Sequence, residues 1–335
     1  MVAGRAGIGI FHAPAPKALA RLRTAEDVFA LIGARRELDP GRPALDRIRQ
    51  AVREMPPLEW ALDARVAVSP GSRAGRRLRF RVVARMTGDH DFRRADLKRS
   101  VELAMGERSD HTWRIDEDRA DIELWTTLLE GELIVALRLS GAEMRHRDYR
   151  AVERPASLRP SVAAAMAFLS DPRADDVVLD PFCGTGTLLI ERALAGRYRM
   201  LIGGDNDSGA IEAARTNIGP RFKPIELHQW DAAAIPLDDH SVATIVANLP
   251  WGFRYGSHRE NRRLYPRVFA EMRRVLRPGG KMVLLTGETR LMGELRADRT
   301  IMPSRIVPVS ILGTDAAIYV VGEVRKPLAV ARAQT

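Results

Sequence analysis

The sequence is short of cysteine, of lysine and of long apolar runs. Cys183 is the single cysteine among 335 residues, which excludes an internal disulfide framework and a multi-cysteine metal site. No apolar run approaches the ~20 residues that span a bilayer, and the N-terminus lacks the apolar segment of a signal peptide. The seven histidines show no metal-ligand spacing. We therefore expect a soluble, cytoplasmic protein that binds no membrane and needs no metal.

The charge of the chain is basic. Its 53 Lys+Arg against 43 Asp+Glu give a formal net charge of +10, and all but five of the cations are arginine. Between residues 73 and 99, ten basic residues accompany three acidic ones. Such a run is usually a solvated face, but it makes a polyanion such as nucleic acid the first partner to consider. At roughly 100–200 residues per domain, the length predicts two domains.

The second half of the chain alternates short apolar runs with helical stretches. Strands are predicted at 176–180, 200–203, 241–247 and 281–285, and helices at 188–195, 208–217 and 264–276. The segment 277–280 (RPGG) is predicted to end the last of these helices. Two late alternating runs, 305–312 and 316–324, predict a closing antiparallel hairpin. Strands that alternate with helices form a parallel α/β sheet covered on both faces, and such sheets bind ligands at the carboxyl ends of their strands.

The first half follows a different pattern. Residues 79–83 alternate as a half-buried strand, and residues 91–105 have the apolar spacing of a helix. Two more alternating strands, at 122–127 and 132–139, are separated by a Glu-Gly pair. We expect a two-layer α+β module that is separate from the later sheet, with a junction around residues 139–157.

Residues 180–187 (DPFCGTGT) join a buried strand to a helix. Gly184 and Gly186 allow a sharp turn and a close approach of the backbone to a ligand. Leu189 stands where a dinucleotide site has its third glycine, and no Gly-Lys-Ser/Thr follows, so neither a nicotinamide site nor a P-loop is indicated. About 20 residues further on, Asp205 ends the next strand, where a carboxylate accepts both hydroxyls of a ribose.

Two more acids bear on this pocket. Asp207 lies beyond the strand end and is as consistent with a helix N-cap as with a ribose acceptor. Asp231 follows the third strand, where its carboxylate has the position to accept an adenine amino group. A solvated loop carboxylate is the alternative interpretation of Asp231.

Residues 248–252 (NLPWG) follow the fourth strand at the same edge of the sheet. A nucleobase amino group is a poor nucleophile because its lone pair is delocalised into the ring. The side-chain oxygen of Asn248 and a main-chain carbonyl near Leu249 and Pro250 can each accept one N–H and so favour a pyramidal nitrogen. Pro250 stiffens the loop, and Trp251 offers a face on which a base can stack. Asn248 is neutral, so it orients the amine rather than taking its proton.

These two loops resemble those of a known group of enzymes. DPFCGTGT resembles the first motif of S-adenosylmethionine-dependent methyltransferases that act on amino groups of nucleic acids. NLPWG matches their Asn/Asp-x-Pro-aromatic pattern. The resemblance implies that S-adenosylmethionine is the cofactor and that Asn248, Pro250 and Trp251 are catalytic. The predicted cofactor-binding residues are Asp180, Phe182, Gly184, Thr185, Gly186, Asp205, Asn206, Asp231, Ala232 and Asn248.

Further segments narrow the resemblance to one family. Residues 79–150 resemble a THUMP domain, an RNA-binding module, through the strand at 79–83, the segment 88–92 and the strand at 134–140. The segment 154–160 is similar to the part of that family that closes over the cofactor. Together with the catalytic loop, residues 255–257 and 264–265 resemble the THUMP-class tRNA guanosine-N2 methyltransferases.

The resemblance also implies a division of the chain. It predicts a partial ferredoxin-like region at 1–70, of which only the later part matches, and a THUMP RNA-binding domain at 71–150. Residues 151–335 are expected to form a Rossmann-like class I methyltransferase domain. Its sheet is expected to have seven mostly parallel strands and an antiparallel closing hairpin.

We therefore predict an enzyme that makes N2-methylguanosine in tRNA, in the acceptor stem, acting as a monomer on folded RNA. Leu249 replaces a proline of many relatives, so guanine N2 in ribosomal RNA and adenine N6 remain alternatives. A DNA adenine methyltransferase and a non-enzymatic RNA-binding protein are more distant ones. The predicted RNA contacts are Arg93, Arg94, Lys98, Arg99, Arg254, Arg259, Arg262 and Arg263.

Overall fold

The computed structural model describes residues 3–5, 8–73, 75–155, 157–252, 257–311 and 313–322. The chain divides into two compact units, Met1–Arg145 and His146–Thr335. The boundary falls inside the interval in which the sequence predicts a junction.

The first unit contains a two-stranded hairpin and a five-stranded sheet with three helices. The hairpin is formed by β1 (Ala3–Arg5) and β2 (Ile8–Ile10). The larger sheet has the order β3-β7-β6-β4-β5, with β3 (Phe29–Arg35), β4 (Arg77–Thr87), β5 (Thr112–Ile115), β6 (Ile122–Leu129) and β7 (Glu132–Arg138). The helices are α1 (Ala44–Arg53), α2 (Glu59–Val68) and α3 (Arg94–Gly106). The predicted α+β character is therefore present, and the sheet also includes residues before position 71.

Alternation along β4 explains how this sheet acquires a buried face. Leu78, Phe80 and Val82 are buried in one core cluster with residues of α1 and α3, whereas Arg79 and Arg81 between them pair with Asp121 and Glu123. Period-two patterning of this kind gives a sheet one apolar and one polar face.

The first unit differs from the sequence prediction in the start of one helix and in several elements that were not predicted, among them β3, α1, α2 and β5. The helix predicted from residue 91 begins at Arg94, because the Asp96 carboxylate accepts the Arg93 backbone N–H and so caps the helix there. The short strand β5 was not predicted. It pairs in parallel with β4 at the sheet edge, and its four residues form an alternation too short to predict a strand.

The second unit is built on a seven-stranded sheet of order β10-β9-β8-β11-β12-β14-β13. Its strands are β8 (Val177–Asp180), β9 (Met200–Asp205), β10 (Ile225–Gln229), β11 (Val242–Asn248), β12 (Leu276–Thr286), β13 (Pro303–Ile311) and β14 (Thr314–Val321). The five strands β8–β12 are parallel, and β13 and β14 form the predicted antiparallel hairpin. The predicted fold class is confirmed.

Helices cover both faces of this sheet. They are α4 (Pro160–Leu169), α5 (Thr187–Ala195), α6 (Ser208–Ile218), α7 (His258–Val275) and α8 (Thr289–Ala297). One core cluster joins the sheet to α7 and α8, and another joins it to α4, α5 and α6. The central strand β11 is buried from Val242 to Ala247, as expected for a parallel strand between two helix layers.

Two boundaries in the second unit also differ from the prediction. Helix α7 begins at His258 rather than at residue 264, because the Ser257 hydroxyl accepts the Glu260 backbone N–H and caps the helix. Pro266 lies within this helix. The segment 277–280 was predicted to end the helix, and α7 does end at Val275. The same segment is also an irregularity inside β12, where Val242 pairs with Leu276 and Thr244 with Lys281.

Candidate active site

The two loops singled out in the sequence follow neighbouring strands. The glycine loop (residues 181–186) comes after β8, and the loop that we call the Asn248 loop (residues 248–252) begins at the end of β11. β8 and β11 are hydrogen-bonded in parallel, with Ile245 opposite Leu179. Because parallel strands end at the same edge of a sheet, both loops lie at one edge, as predicted.

The glycine loop is tightly turned. Gly184 and Gly186 have φ angles of +53° and +80°, in the left-handed region that favours glycine. A Cβ on Gly186 would lie 3.1 Å from Ile218 Cδ1, so packing against α6 also requires this glycine. A Cβ on Gly184 would meet no heavy atom within 4 Å. The loop therefore has open space beside Gly184, where a ligand can approach the backbone.

Asp205, at the end of β9, holds the glycine loop. Its Oδ2 accepts the Gly184 backbone N–H at 2.9 Å, and its Oδ1 accepts the Asp207 N–H at 3.0 Å. A carboxylate offers about four lone-pair sites, so two remain for a ligand such as a ribose diol. Asp207 itself is the N-cap of α6 and accepts the N–H groups of Gly209 and Ala210, which matches the capping alternative.

Asp180 is buried where β8 ends. Its Oδ1 accepts the Phe182 backbone N–H at 3.1 Å. Burial, with the nearby charge of Asp205, raises the pKa of Asp180 well above its usual range. Burial likewise raises the pKa of the Cys183 thiol, so this cysteine behaves as a packed apolar side chain. The position of Asp180 indicates a role in shaping the loop from inside.

The remaining predicted cofactor residues surround the same strand ends. Asp231 follows β10 and is exposed, and its Oδ1 accepts the Ala233 N–H at 2.9 Å; its neighbour Ala232 is buried. Asn206 is exposed, and its carbonyl accepts from Gln229 at 3.1 Å. Thr185 is buried beside Thr187, and Phe182 is half-buried against the core.

Trp230 is a neighbour of this pocket that the sequence analysis did not identify. A Cβ on Gly204 would fall 1.7 Å from its Nε1. The indole therefore lies across Gly204, the residue before the last one of β9, and leaves no room for a side chain at that position.

The Asn248 loop begins at a half-buried asparagine. Leu249 is buried and its N–H donates to the Leu285 carbonyl at 2.9 Å. Trp251 Nε1 donates to Asn248 Oδ1 at 3.1 Å. The indole packs on Gly287, where a Cβ would come within 2.8 Å of its Cε3. One face of the ring is thus covered by Gly287, and stacking is open only to the other face.

The Pro250 carbonyl is held by two donors that the sequence analysis missed. Asn261 Nδ2 donates to it at 3.0 Å and the Tyr265 hydroxyl at 2.6 Å. A carbonyl oxygen has two lone pairs, so both are used. Within the described ranges, no residue donates to the Leu249 carbonyl, and this is the main-chain acceptor that remains available.

A buried polar network extends behind these two donors. Asn261 also donates to Glu288 Oε1 at 2.9 Å, and His258 Nδ1 lies 2.6 Å from Glu288 Oε2. Tyr265 lies 2.7 Å from Thr286 Oγ1, and burial raises the pKa of its phenol. A sequence signal did exist: Asn261 and Tyr265 are four residues apart, which places them on one face of α7.

A family model for the UPF0020 group, described as an RMKL-like methyltransferase domain, matches residues 147–315. The chain belongs to this family. The predicted enzyme class is therefore confirmed as a methyltransferase.

Two curated relatives of this methyltransferase carry names that specify a substrate. Over 261 residues, it is 34% identical to the protein named tRNA (guanine(6)-N(2))-methyltransferase THUMP3 of Mus musculus, covering 72% of this chain and 50% of the relative. It is 24% identical over 248 residues to tRNA (guanine(6)-N2)-methyltransferase of Methanocaldococcus jannaschii, covering 61% of this chain and 65% of the relative. The methyltransferase thus spans about half to two thirds of the length of these relatives.

Solved structures share its fold. TrmN of Thermus thermophilus superposes with a TM-score of 0.73 at 23% identity, over 94% of this chain and 89% of that one. A protein described as a predicted N6-adenine-specific DNA methylase from Listeria monocytogenes gives a TM-score of 0.66 at 22% identity, over 91% and 86%. The methyltransferase therefore has the fold predicted from its strand and helix pattern.

The cofactor of this methyltransferase is S-adenosylmethionine, as the sequence predicts, and the residues present fit it. The open space at Gly184, the two remaining lone-pair sites of Asp205 and the exposed carboxylate of Asp231 lie on the loops of one sheet edge. In the described part of the chain, no group of three or more His, Cys, Asp or Glu is arranged to hold a metal. None of the helices there is both long and apolar enough to cross a membrane.

The segment before α4 is tied to the glycine loop. The Asn217 amide accepts the Val152 N–H at 2.8 Å, and its Nδ2 donates to the carbonyls of Val152 and Thr185 at 2.9 and 3.0 Å. Arg154 forms an ion pair with Asp207. These contacts place part of the predicted closing segment beside the predicted cofactor loop.

The predicted RNA contacts differ in their surroundings. Lys98 Nζ lies 2.8 Å from Glu117, Arg99 lies 3.9 Å from Glu102, and Arg262 lies 2.8 Å from Glu294. Of the others, Arg93, Arg94, Arg259 and Arg263 are exposed, and Arg254 lies outside the described residues.

Proposed function

We propose that this methyltransferase transfers a methyl group from S-adenosylmethionine to the exocyclic N2 of a guanine in tRNA. The observation that carries the proposal is a pair of acceptors at the end of β11. Asn248 Oδ1 and the Leu249 carbonyl follow the strand that pairs with β8, whose loop has the open space at Gly184. The names of the two curated relatives support guanine N2 as the amine and tRNA as the substrate.

The mechanism is one of positioning. Bound S-adenosylmethionine supplies an electrophilic methyl group on a sulfonium. Asn248 Oδ1 and the Leu249 carbonyl each accept one N–H of the target amine, which directs the nitrogen lone pair away from both acceptors. Methyl transfer from the bound cofactor would form the new N–C bond as the S–C bond breaks, leaving that electron pair on the sulfur. The amine then carries a positive charge and loses one proton to solvent, because Asn248 is not a base.

The geometry of the pocket supports the cofactor-binding roles that we propose for individual residues. Asp205 accepts the ribose hydroxyls with its two remaining lone-pair sites, and Asp231 accepts the adenine amino group. The glycine loop supplies its backbone to the methionine part of the molecule. The other side chains that we place around the cofactor are Asp180, Phe182, Thr185, Asn206 and Ala232.

RNA recognition is assigned to two basic regions. We place a THUMP module at 71–150, most of it in the first unit, preceded by a partial ferredoxin-like region at 1–70. Exposed Arg93 and Arg94 contact phosphates there. In the methyltransferase domain at 151–335, Arg259 and Arg263 at the start of α7 contact RNA near the target. A paired guanine has to be flipped out of its stack, which costs a few kcal/mol that backbone contacts offset. We place the monomer in the cytoplasm, where it meets tRNA.

The test is methyl transfer with isotope-labelled cofactor to tRNA, ribosomal RNA and duplex DNA, followed by digestion to nucleosides. We expect label in N2-methylguanosine from tRNA, and in a shortened RNA that contains only the acceptor stem. Label in N6-methyladenosine would instead support the second candidate, an adenine-N6 methyltransferase, which the description of the Listeria protein favours. Binding of the cofactor without transfer to any nucleic acid would contradict both.

A further inference from the structure

The hydrogen bond between Trp251 and Asn248 fixes which end of the Asn248 amide faces the indole. An indole N–H donates and never accepts, so the end of the Asn248 amide that lies 3.1 Å from Trp251 Nε1 is its oxygen. With the amide turned by 180°, two N–H donors would face each other. Trp251 therefore distinguishes between the two orientations of this side chain.

We propose that Trp251 is a positioning residue that holds Asn248 with its acceptor end toward the target amine. This inference rests on the proposed function and assigns Trp251 a task other than stacking. Asn248 Oδ1 has two lone pairs; one accepts the indole N–H and the other is left for an N–H of the amine. With the amide reversed, its NH2 group would repel the N–H groups that it has to bind.

Two features keep the indole in place. Its ring lies against Gly287, with Cε3 and Cδ2 at 2.8 and 3.1 Å from the position that a Cβ would take. The preceding Pro250 carbonyl is bound by Asn261 and Tyr265. The N–H of Trp251 therefore cannot turn away from Asn248 without displacing Pro250 or leaving Gly287.

An aspartate at position 248 gives the matched comparison. A carboxylate has an acceptor at both ends, so it needs no partner to choose its orientation. The inference thus predicts that the N–H of Trp251 matters when residue 248 is asparagine and matters little when it is aspartate.

The experiment is a double-mutant cycle of Trp251→Phe and Asn248→Asp, which measures the coupling between the two side chains. Trp251→Phe keeps an aromatic ring and removes the N–H. In the wild-type background, we expect kcat for tRNA to fall roughly fivefold to tenfold, the effect of losing one orienting hydrogen bond. The KM for RNA and the Kd for cofactor should change less than about twofold. A contact that orients the amine for the transition state lowers kcat when it is lost, but leaves binding of the RNA and of the cofactor almost unchanged.

In the Asn248→Asp background, the same Trp251→Phe change should lower kcat by less than about twofold, since nothing is left to orient. Equal losses in both backgrounds would overturn the inference and assign Trp251 to packing or stacking alone. Gly287→Ala is a second test, because it keeps the N–H but displaces the ring. It should likewise lower kcat when residue 248 is asparagine and have little effect when it is aspartate. Trp60→Phe, at a side chain on α2 that is 48% exposed, is the control for loss of a tryptophan.

A measurement without substrate separates this inference from the proposed function. The chain has five tryptophans, so selective ¹⁵N labelling gives a small set of indole N–H resonances, and Trp251→Phe identifies the relevant one. Asn248→Ala should shift that resonance and speed its exchange with solvent, whereas Asn248→Asp should preserve its protection. An unmoved resonance in Asn248→Ala would overturn the contact. A moved resonance in a protein that methylates no RNA would contradict the proposed function and leave the contact standing.

Discussion

The glycine loop and the Asn248 loop lie at neighbouring strand ends, but different kinds of contact hold them. The glycine loop is fixed by its own backbone angles and by one carboxylate, Asp205, which accepts the Gly184 N–H. The Asn248 loop is fixed from outside, by two α7 side chains, Asn261 and Tyr265, that donate to the Pro250 carbonyl. Side chains of the segment 286–288 hydrogen-bond those two donors in turn. The first arrangement suits a loop whose backbone binds a ligand. The second suits a loop that has to present two acceptors at fixed positions.

Removing the acceptor at position 248 should have the largest effect. Asn248→Ala is expected to lower kcat by about 10²–10³-fold, the range found when one preorganised partner of the transition state is removed. Cofactor affinity should change little, because the glycine loop is held by other residues. Steady-state kinetics and calorimetric titration with S-adenosylmethionine check the two parts. An unchanged kcat would remove Asn248 from the mechanism.

Removing the carboxylate that holds the glycine loop should mainly weaken cofactor binding, whereas removing Asn248 mainly lowers kcat. Asp205→Ala loses two ribose hydrogen bonds to a charged group and the contact with Gly184, so the cofactor Kd is expected to rise about 30–100-fold. Asp207→Ala is the control: it removes the N-cap of α6 and should cost about 1 kcal/mol of unfolding free energy, with a much smaller change in Kd. Equal Kd values for wild type and Asp205→Ala would contradict the ribose assignment.

A smaller effect is expected from loosening the Asn248 loop at its support. Tyr265→Phe leaves the Pro250 carbonyl with one donor instead of two, which should cost about 1 kcal/mol of stability and lower kcat several-fold, with cofactor Kd unchanged. Denaturant unfolding and kinetics measure both. Tyr319→Phe is the matched control: Tyr319 is buried in the same core cluster, and its hydroxyl has no hydrogen bond within the described ranges. If the two variants show the same kcat and the same unfolding free energy, the hydrogen bond of Tyr265 does not position the Asn248 loop.

The smallest effect concerns the basic residues of the first unit. Arg94 is exposed, whereas Lys98 already pairs with Glu117 and Glu102. Arg94→Ala should therefore weaken tRNA binding and reduce the slope of log K against log[salt] by about one. Lys98→Ala should change that slope less. Binding titrations at several salt concentrations compare the two, and a larger effect at Lys98 would contradict the assignment.

The fold and both loops could be predicted because their signals are local. Strand β11 is rich in β-branched residues, the glycines at 184 and 186 are required by the turn itself, and acids follow the strands at which a ligand binds. What holds the Asn248 loop could not be predicted in the same way. Thr286, the last residue of β12, and Glu288 are separated in sequence from Pro250 by α7 and most or all of β12, and only packing brings them together. The start of α7 was missed because one serine cap, Ser257, determines it.

The side-chain amide of Asn217 connects the glycine loop to the segment that precedes α4. Asn217 binds Val152 through both its ends and also binds the Thr185 carbonyl within the glycine loop. We therefore expect binding of the methyl donor at that loop to reduce the mobility of the stretch around Val152, and by reciprocity an ordered stretch to favour binding by the same free energy. Hydrogen exchange at residue 152, measured with and without S-adenosylmethionine, tests this expectation outside the pocket.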